Sequence, residues 1–96
     1  MQVKIVRIYL SENSELLQEF YDYLHEKKVK GATIFRGVKG FGSSGKDYEA
    51  RLLDVRANLP VVLEFFDEPE HVDDILKHFT DNFKPIHVIQ WLAEAI

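Results

Sequence analysis

Residues 31–46 read GATIFRGVKGFGSSGK, and this segment separates two parts of the chain that share one pattern of apolar residues. It contains all five glycines of the protein: Gly31, Gly37, Gly40, Gly42 and Gly45. Glycine allows a left-handed backbone and lets another molecule approach the main chain closely. The segment also holds Arg36, Lys39, Ser43 and Ser44, and main-chain amides beside basic side chains suit an anion such as phosphate. We therefore expect the binding function to be located here.

The first part of the chain reads as strand, helix and strand. Residues 2–10 are rich in β-branched residues and apolar on much of both faces, which predicts an interior strand. Capping residues at 11–14 precede apolar residues at helical spacing, and Lys27–Lys28 suits the end of that helix. Gly31 suits the residues just past the helix, and 32–38 is predicted to be the second strand.

The second part repeats this order. A short and more polar strand is predicted over 48–55, and an Asn-Leu-Pro sequence then opens a strongly apolar strand over 61–66. Residues 67–70 begin a helix whose apolar residues fall on one face, and Pro85 ends it. A last strand is predicted over 86–92.

Two such units predict an α+β protein with the ferredoxin-like split βαβ fold. Right-handed crossovers place both helices on one face of a single antiparallel sheet. The other face is left bare, and alternation in 61–66 and 86–92 makes it largely apolar. An exposed apolar face is normally an interface, so we expect a homo-oligomer that packs sheet to sheet. Trp91, the only tryptophan, is interpreted as an anchor of the core or of that interface.

The composition is that of one small domain spanning 1–96. A formal net charge of −4 argues against a general nucleic-acid-binding protein, which needs an excess of Lys and Arg. The absence of cysteine excludes disulfides, thiolate metal ligands and a cysteine nucleophile. The apolar start is too short for a signal peptide or a membrane span, so we expect a cytoplasmic protein without direct membrane insertion.

The acidic pairs of the chain do not indicate an enzyme. Glu68/Glu70 and Asp73/Asp74 fall in the first turns of a predicted helix, where carboxylates favour the positive end of the helix dipole. The sequence has no Ser-His-Asp spacing, no Walker-type phosphate loop and no zinc signature. We therefore expect no enzymatic activity.

The four histidines raise the alternative of a metal site. His71 and His78 are about two helical turns apart, too far to share an ion unaided, and neither HxxxH nor HxH occurs. His25 falls on the other helix, and His87 falls at the start of the last strand. Exposed histidines on helices are therefore the preferred interpretation.

The segment GATIFRGVKGFGSSGK, followed by LPVVLEFFD at 59–67 and HVIQWLAEAI at 87–96, resembles the PII signal-transduction superfamily. More closely, it resembles the short PII-like family of unknown function whose members typically carry GATVxRGIxGFG and LPVVIEIVD. This resemblance implies a ferredoxin-like homotrimer that binds adenine nucleotides in clefts between subunits and contacts partner proteins through a T-loop. It also implies a regulated partner protein, such as a membrane transporter.

The resemblance further implies which residues form the nucleotide site. The base of the T-loop, whose backbone lines the nucleotide phosphates, matches Gly40, Phe41, Gly42 and Ser43. A strand threonine near the adenine matches Thr33.

Departures from the PII pattern affect the charge of the ligand. Lys84 alone stands where PII proteins have a glycine-rich phosphate segment with a lysine, and the pair of C-terminal arginines has no counterpart. The resemblance therefore favours AMP or ADP over ATP. Its phosphate would be held by amides of Gly40–Ser44, with help from Arg36 or Lys39.

Several alternatives stay open. The glycine-rich segment also fits a hairpin with ordinary turns, in which Arg36 and Lys39 are solvated charges at strand ends or pair with Asp47 or Glu49. Phe41, between two glycines, fits either a stack on a base or a plug in the trimer core, and we favour the plug. The chain as a whole also fits a trimeric interaction module that binds no nucleotide, or a divalent-metal-binding protein like CutA.

Overall fold

The computed structural model describes residues 1–41, 47–49, 58–82 and 87–96. In these ranges the elements follow one another as β1 Gln2–Ser11, α1 Glu15–Glu26, β2 Gly31–Arg36, β3 Lys39–Phe41, β4 Asp47–Glu49, β5 Pro60–Asp67, α2 Pro69–Asn82 and β6 His87–Glu94. This order confirms the two β-α-β parts with the glycine-rich segment between them.

The main sheet is antiparallel and has the strand order β2-β5-β1-β6. The two central strands, β1 and β5, pair from Lys4 opposite Asp67 to Ser11 opposite Pro60. Strand β6 pairs along the other side of β1, and β2 pairs along the other side of β5. This is the strand order of the ferredoxin-like fold, so the predicted fold class is confirmed.

The core lies between this sheet and the two helices. Alternate residues of each central strand face the helices. The buried cluster consists of Val6, Ile8, Leu10, Val61, Leu63 and Phe65 from the strands with Phe20, Leu24, Val72, Ile75 and Phe79 from the helices. The rings of Phe20 and Phe79 join the two helices, with centroids 3.7 Å apart. Both helices therefore cover the same face of the sheet, as the crossovers predict.

The end of α1 depends on a lysine rather than a glycine. Lys28 has a left-handed backbone with φ of 55°. The Lys28 amide donates to the carbonyl of His25 (3.1 Å), and the Val29 amide donates to the carbonyl of Leu24 (3.3 Å). These are the paired bonds of a Schellman motif, and Val29 packs against the core cluster that contains Leu24. The left-handed residue after the helix is therefore Lys28 and not Gly31.

Gly31 has a different role, at the start of β2. It lies opposite Phe66 of β5, and a Cβ atom built on Gly31 would overlap the Phe66 ring. The glycine therefore provides room for an aromatic ring that lies across the neighbouring strand.

The glycine-rich segment departs from the predicted strand boundaries. Strand β2 ends at Arg36 instead of continuing to Val38. The Gly37 amide still donates in register to the carbonyl of Pro60 (2.7 Å), but Pro60 has no N–H to donate in return, so the ladder stops there. A separate two-stranded hairpin follows, in which Lys39 lies opposite Glu49. The strand predicted over 48–55 is described only up to Glu49.

The predicted end of α2 at Pro85 and the predicted strand start at residue 86 lie outside the described residues. In the parts of the chain that are described, neither helix has the length and apolar character needed to cross a membrane.

The left-handed backbone of Lys28 leads to a stability prediction. We expect Lys28→Gly to raise the free energy of unfolding by about 1 kcal/mol, because the left-handed region is costly for a residue with a Cβ atom. Urea denaturation followed by circular dichroism measures this change. The matched control is Lys27→Gly, since Lys27 has a right-handed backbone with φ of −79°. Lys27→Gly should not be stabilising, and a Lys28→Gly protein no more stable than the wild type would contradict the prediction.

Candidate functional site

The glycine-rich segment leaves the sheet at the end where β1 stops and β5 begins. Ser11 lies opposite Pro60, and Arg36 lies opposite Val61, so the ends of β1 and β2 meet the start of β5. The Glu12 amide donates to the carbonyl of Leu59 (2.8 Å). Three stretches that are distant in sequence therefore converge on one corner of the sheet.

Glu12 is the centre of this corner. Its Oε1 lies 2.9 Å from Nε of Arg36, and its Oε2 accepts a hydrogen bond from Nη2 of Arg36 (3.1 Å). The second oxygen also accepts from the Leu59 amide (3.4 Å). Two parallel bonds between a guanidinium and a carboxylate fix the geometry of both groups. We call this arrangement of Glu12, Arg36 and Leu59 the Glu12 junction.

The Glu12 junction changes the acidity of its carboxylate. The hydrogen bond from Arg36 lowers the pKa of Glu12 below the ordinary value of 4.5, and the Leu59 amide and the charge of Arg36 act in the same direction. Desolvation opposes them but is outweighed. Glu12 is therefore ionised at neutral pH and neutralises the charge of Arg36.

Sequence reasoning selected Arg36 but did not identify Glu12 as its partner. Asp47 and Glu49 were considered only as alternative partners, across the predicted hairpin. Glu12 is 24 residues away from Arg36 in sequence. No local pattern reveals such a contact, since it follows only from the register of β1, β5 and β2.

Close packing against Pro60 accounts for the glycines at positions 37 and 40. Cβ atoms on Gly37 and Gly40 would lie 3.0 and 3.2 Å from Cγ of Pro60, so both residues pass close over this proline. Lys39 is exposed, and Phe41 is 74% exposed. Phe41 therefore does not plug the core of its own protomer, which leaves a neighbouring subunit or a ligand as its predicted contact.

The structure does not bring all predicted site residues together. Thr33 lies opposite Glu64, whereas Arg36 lies opposite the core residue Val61. Alternation along β2 therefore directs Thr33 away from the helices and Arg36 towards the helix side. The predicted site residues Gly42, Ser43, Ser44 and Lys84 lie outside the described residues.

The sheet face opposite the helices is exposed and largely apolar. We call it the open face; it is formed by Ile5, Arg7, Tyr9, Thr33, Phe35, Val62, Glu64, Phe66, His87, Ile89 and Trp91. Phe35 and Ile89 are 49% and 47% exposed, although both are fully apolar side chains. The sequence predicted this bare apolar face, and it is present in the structure.

A charged pair lies in the middle of the open face. Nε of Arg7 is 2.8 Å from Oε1 of Glu64, and the Arg7 guanidinium lies 5.5 Å from the centroid of the Trp91 ring. The hydrogen bond to Glu64 raises the pKa of Arg7. Each charge thus has an opposite charge within the same protomer. This pairing lowers the free-energy cost of desolvating the two charges when another molecule covers the open face.

His71 and His78 make contacts within the protein. Nδ1 of His71 lies 3.1 Å from Oδ2 of Asp67, a buried carboxylate that also accepts from the Glu68 and Lys30 amides. The His78 ring stacks on Tyr23, with centroids 4.5 Å apart. Among the described residues, no three His, Cys, Asp or Glu side chains are grouped so that they could hold a metal ion.

Comparisons with known proteins agree with the fold and with the motifs. The family model DUF190, described as an uncharacterized ACR, matches residues 3–95. A UPF0166 protein of Aquifex aeolicus (strain VF5) is 35% identical over 89 residues, which span 88% of this chain and 81% of that protein.

Solved structures share the fold over nearly the whole chain. CPII from Thiomonas intermedia K12, described as bound to ADP and bicarbonate, has a TM-score of 0.67 at 24% identity and covers 97% of this chain and 85% of its own. A second matching structure is that of CPII, a nitrogen regulatory PII-like protein, bound to ADP, AMP and bicarbonate. CutA1 from Oryza sativa has a TM-score of 0.64 at 15% identity, and the match covers 99% of this chain and 83% of the CutA1 chain. The predicted fold and the predicted family of unknown function are thus confirmed, and the fold is shared with these PII-like and CutA structures.

The lowered pKa of Glu12 leads to a prediction about pH. A carboxylate whose folded pKa lies below its unfolded pKa stabilises the protein above the unfolded value, and this contribution is lost as the pH falls through the folded pKa. We expect the wild type to melt at a higher temperature than Glu12→Gln near neutral pH, and the difference to shrink below about pH 4.5. Thermal melts from about pH 7 to about pH 3 measure it.

The control for this prediction is the Arg36→Gln background. Because Arg36 is the largest cause of the shift, the pH-dependent part of the Glu12→Gln effect should be smaller there. A melting-temperature difference that stays constant down to the lowest pH would contradict the assignment.

Proposed function

We propose that this chain, which belongs to the DUF190 family, is a PII-like regulatory protein that binds AMP or ADP in preference to ATP. The observation that carries this proposal is the match in fold over 97% of the chain with CPII, which is described as bound to ADP and bicarbonate. The glycine-rich segment supports this proposal, since it leaves the main sheet between its two basic residues, Arg36 and Lys39.

We place the proposed nucleotide site between subunits. Thr33 and Arg36 lie on opposite sides of the edge strand β2, so a ligand touching both within one protomer would have to pass around the sheet edge. A cleft between two copies removes this difficulty, because Thr33 of one copy can face Arg36 of another. The proposed nucleotide-binding residues are Thr33, Arg36, Lys39, Gly40, Phe41, Gly42, Ser43, Ser44 and Lys84.

The proposed assembly is a homotrimer that buries the open face. Exposed apolar side chains such as Phe35, Ile89 and Trp91 favour burial against another subunit. The Arg7–Glu64 pair is compatible with that burial, because neither charge is left without an opposite charge. In this proposal the occupancy of the clefts alters how the glycine-rich segment is presented to a partner protein, such as a membrane transporter.

CutA1 supports a second candidate, a divalent-metal-binding protein, because it shares the fold at a TM-score of 0.64. We rank this candidate lower, since no cluster of three possible ligands occurs in the described ranges. Titration with copper or zinc tests it, and saturable binding with one ion per subunit would favour it over the nucleotide proposal.

Isothermal titration calorimetry tests the nucleotide proposal. We expect saturable heat with AMP and ADP and weaker binding of ATP. Lys39→Ala should weaken AMP binding roughly tenfold, the value of one lost charged contact of about 1.4 kcal/mol. The matched control is Lys77→Ala, an exposed lysine on α2 that removes the same charge away from the Glu12 junction. No heat with any nucleotide at high protein concentration would overturn the proposal in favour of an interaction module.

Sedimentation equilibrium tests the homotrimer. We expect the wild type to sediment as a trimer and Ile89→Asp to dissociate it, because a carboxylate on the open face would be desolvated in the interface. Leu92→Asp is the matched control, since Leu92 lies on the same strand, is 54% exposed, and falls on the other side of the sheet. A wild-type monomer, or dissociation by Leu92→Asp alone, would contradict the proposed interface.

A further inference from the structure

We infer that Glu12 makes the Glu12 junction selective for ligands of low negative charge. It disfavours the binding of polyphosphates relative to monophosphates. This inference rests on the proposed function, because it assigns a role in the selectivity of the same site. Glu12 is not itself one of the proposed ligand-binding residues. It acts through Arg36 and is therefore a positioning and selectivity residue.

The first step is the geometry of the pair. Glu12 engages two nitrogens of the guanidinium, with Nε and Nη2 of Arg36 at 2.9 and 3.1 Å from its two oxygens. A phosphate approaching the same edge of Arg36 must compete with a carboxylate already held in bidentate geometry. The Leu59 amide and the backbone bond from Glu12 to Leu59 keep that carboxylate at the corner.

The second step is the exposure of the two groups. The Arg36 side chain is 59% exposed, whereas that of Glu12 is 32% exposed. Arg36 is therefore accessible to a ligand from outside, and Glu12 lies behind it. A ligand at this corner meets a guanidinium whose orientation is set by Glu12 and whose charge is largely cancelled by it.

The third step is the local charge. Arg36 and Lys39 contribute two positive charges and Glu12 one negative charge, so these three residues sum to +1 with Glu12 and would sum to +2 without it. Sites that hold triphosphates use several cations on the phosphate oxygens. AMP carries about two negative charges and ATP about four near pH 7, so repulsion by Glu12 grows with each added phosphate. Glu12 thus favours the less charged ligand.

Calorimetry on Glu12→Gln tests the inference. Glutamine keeps the size of the side chain and an oxygen that accepts from the Leu59 amide, but it removes the charge. We expect the affinity for ATP to rise about tenfold more than the affinity for AMP, and this gain to shrink at high salt, where charges are screened. An equal loss for both nucleotides would mean that Glu12 is only structural, and it would overturn the inference.

The charge-matched control is Asp73→Asn. Asp73 pairs with Lys4 at 2.7 Å, and Lys4 lies near the opposite end of β1, roughly 23 Å along the strand from Ser11. The substitution removes one negative charge at a distance beyond the ~8 Å screening length at physiological salt. It should leave the ATP-to-AMP ratio unchanged, and a shift equal to that of Glu12→Gln would overturn the inference in favour of a general effect of net charge.

Titration with inorganic tripolyphosphate separates this inference from the proposed function. If the wild type binds AMP but Glu12→Gln has the same ATP-to-AMP ratio, the inference fails and the nucleotide function stands. If neither protein binds any nucleotide, the proposed function fails. In that case, tighter binding of tripolyphosphate by Glu12→Gln than by the wild type still supports the inference, and equal binding overturns it.

Discussion

The antiparallel register between β1 and β5 is the constraint on which the rest of the structure depends. It aligns Ile8 with Leu63 in the core and Ser11 with Pro60 at the corner of the sheet. Both strands contribute alternate residues to the core cluster, so a slip of one residue would turn the apolar set towards the wrong face. The same register brings Glu12 next to Leu59, which creates the corner that holds Arg36.

The two faces of the sheet differ in how their apolar surface is covered. The helix face is covered within the protomer by α1 and α2, whose aromatic residues Phe20 and Phe79 meet directly. Among the described residues, no element covers the open face, which carries an internal ion pair between Arg7 and Glu64. A charge left unpaired in a contact costs several kcal/mol, roughly 3–5 when one partner of a buried pair is removed. The internal pair therefore makes the open face suitable for burial without demanding a particular charge from a partner.

Much of the fold could be predicted because the determining patterns are local. Alternation predicts β1 and β5, helical spacing predicts α1 and α2, and the handedness of crossovers then leaves the ferredoxin-like order. The errors occur where a contact with the neighbouring strand β5 outweighs the local pattern. Gly31 was expected past the helix end, but the left-handed residue is Lys28, and the glycine is needed beneath the Phe66 ring. Strand β2 was predicted to continue to Val38, but it ends at Arg36, because Pro60 on the neighbouring strand has no N–H to return the bond from Gly37.

The amino-acid sequence by itself determined the element types, the family resemblance and the glycine-rich segment with its basic residues, because each depends on neighbours within a few positions. Tertiary structure alone decided that Arg36 bonds to Glu12, since their contact spans 24 residues and passes through two strand pairings. It also decided which face of the sheet each residue of β2 takes, with Thr33 on the open face and Arg36 on the helix side. Both outcomes follow from sheet register, a long-range property that the spacing of residues along one chain segment does not contain.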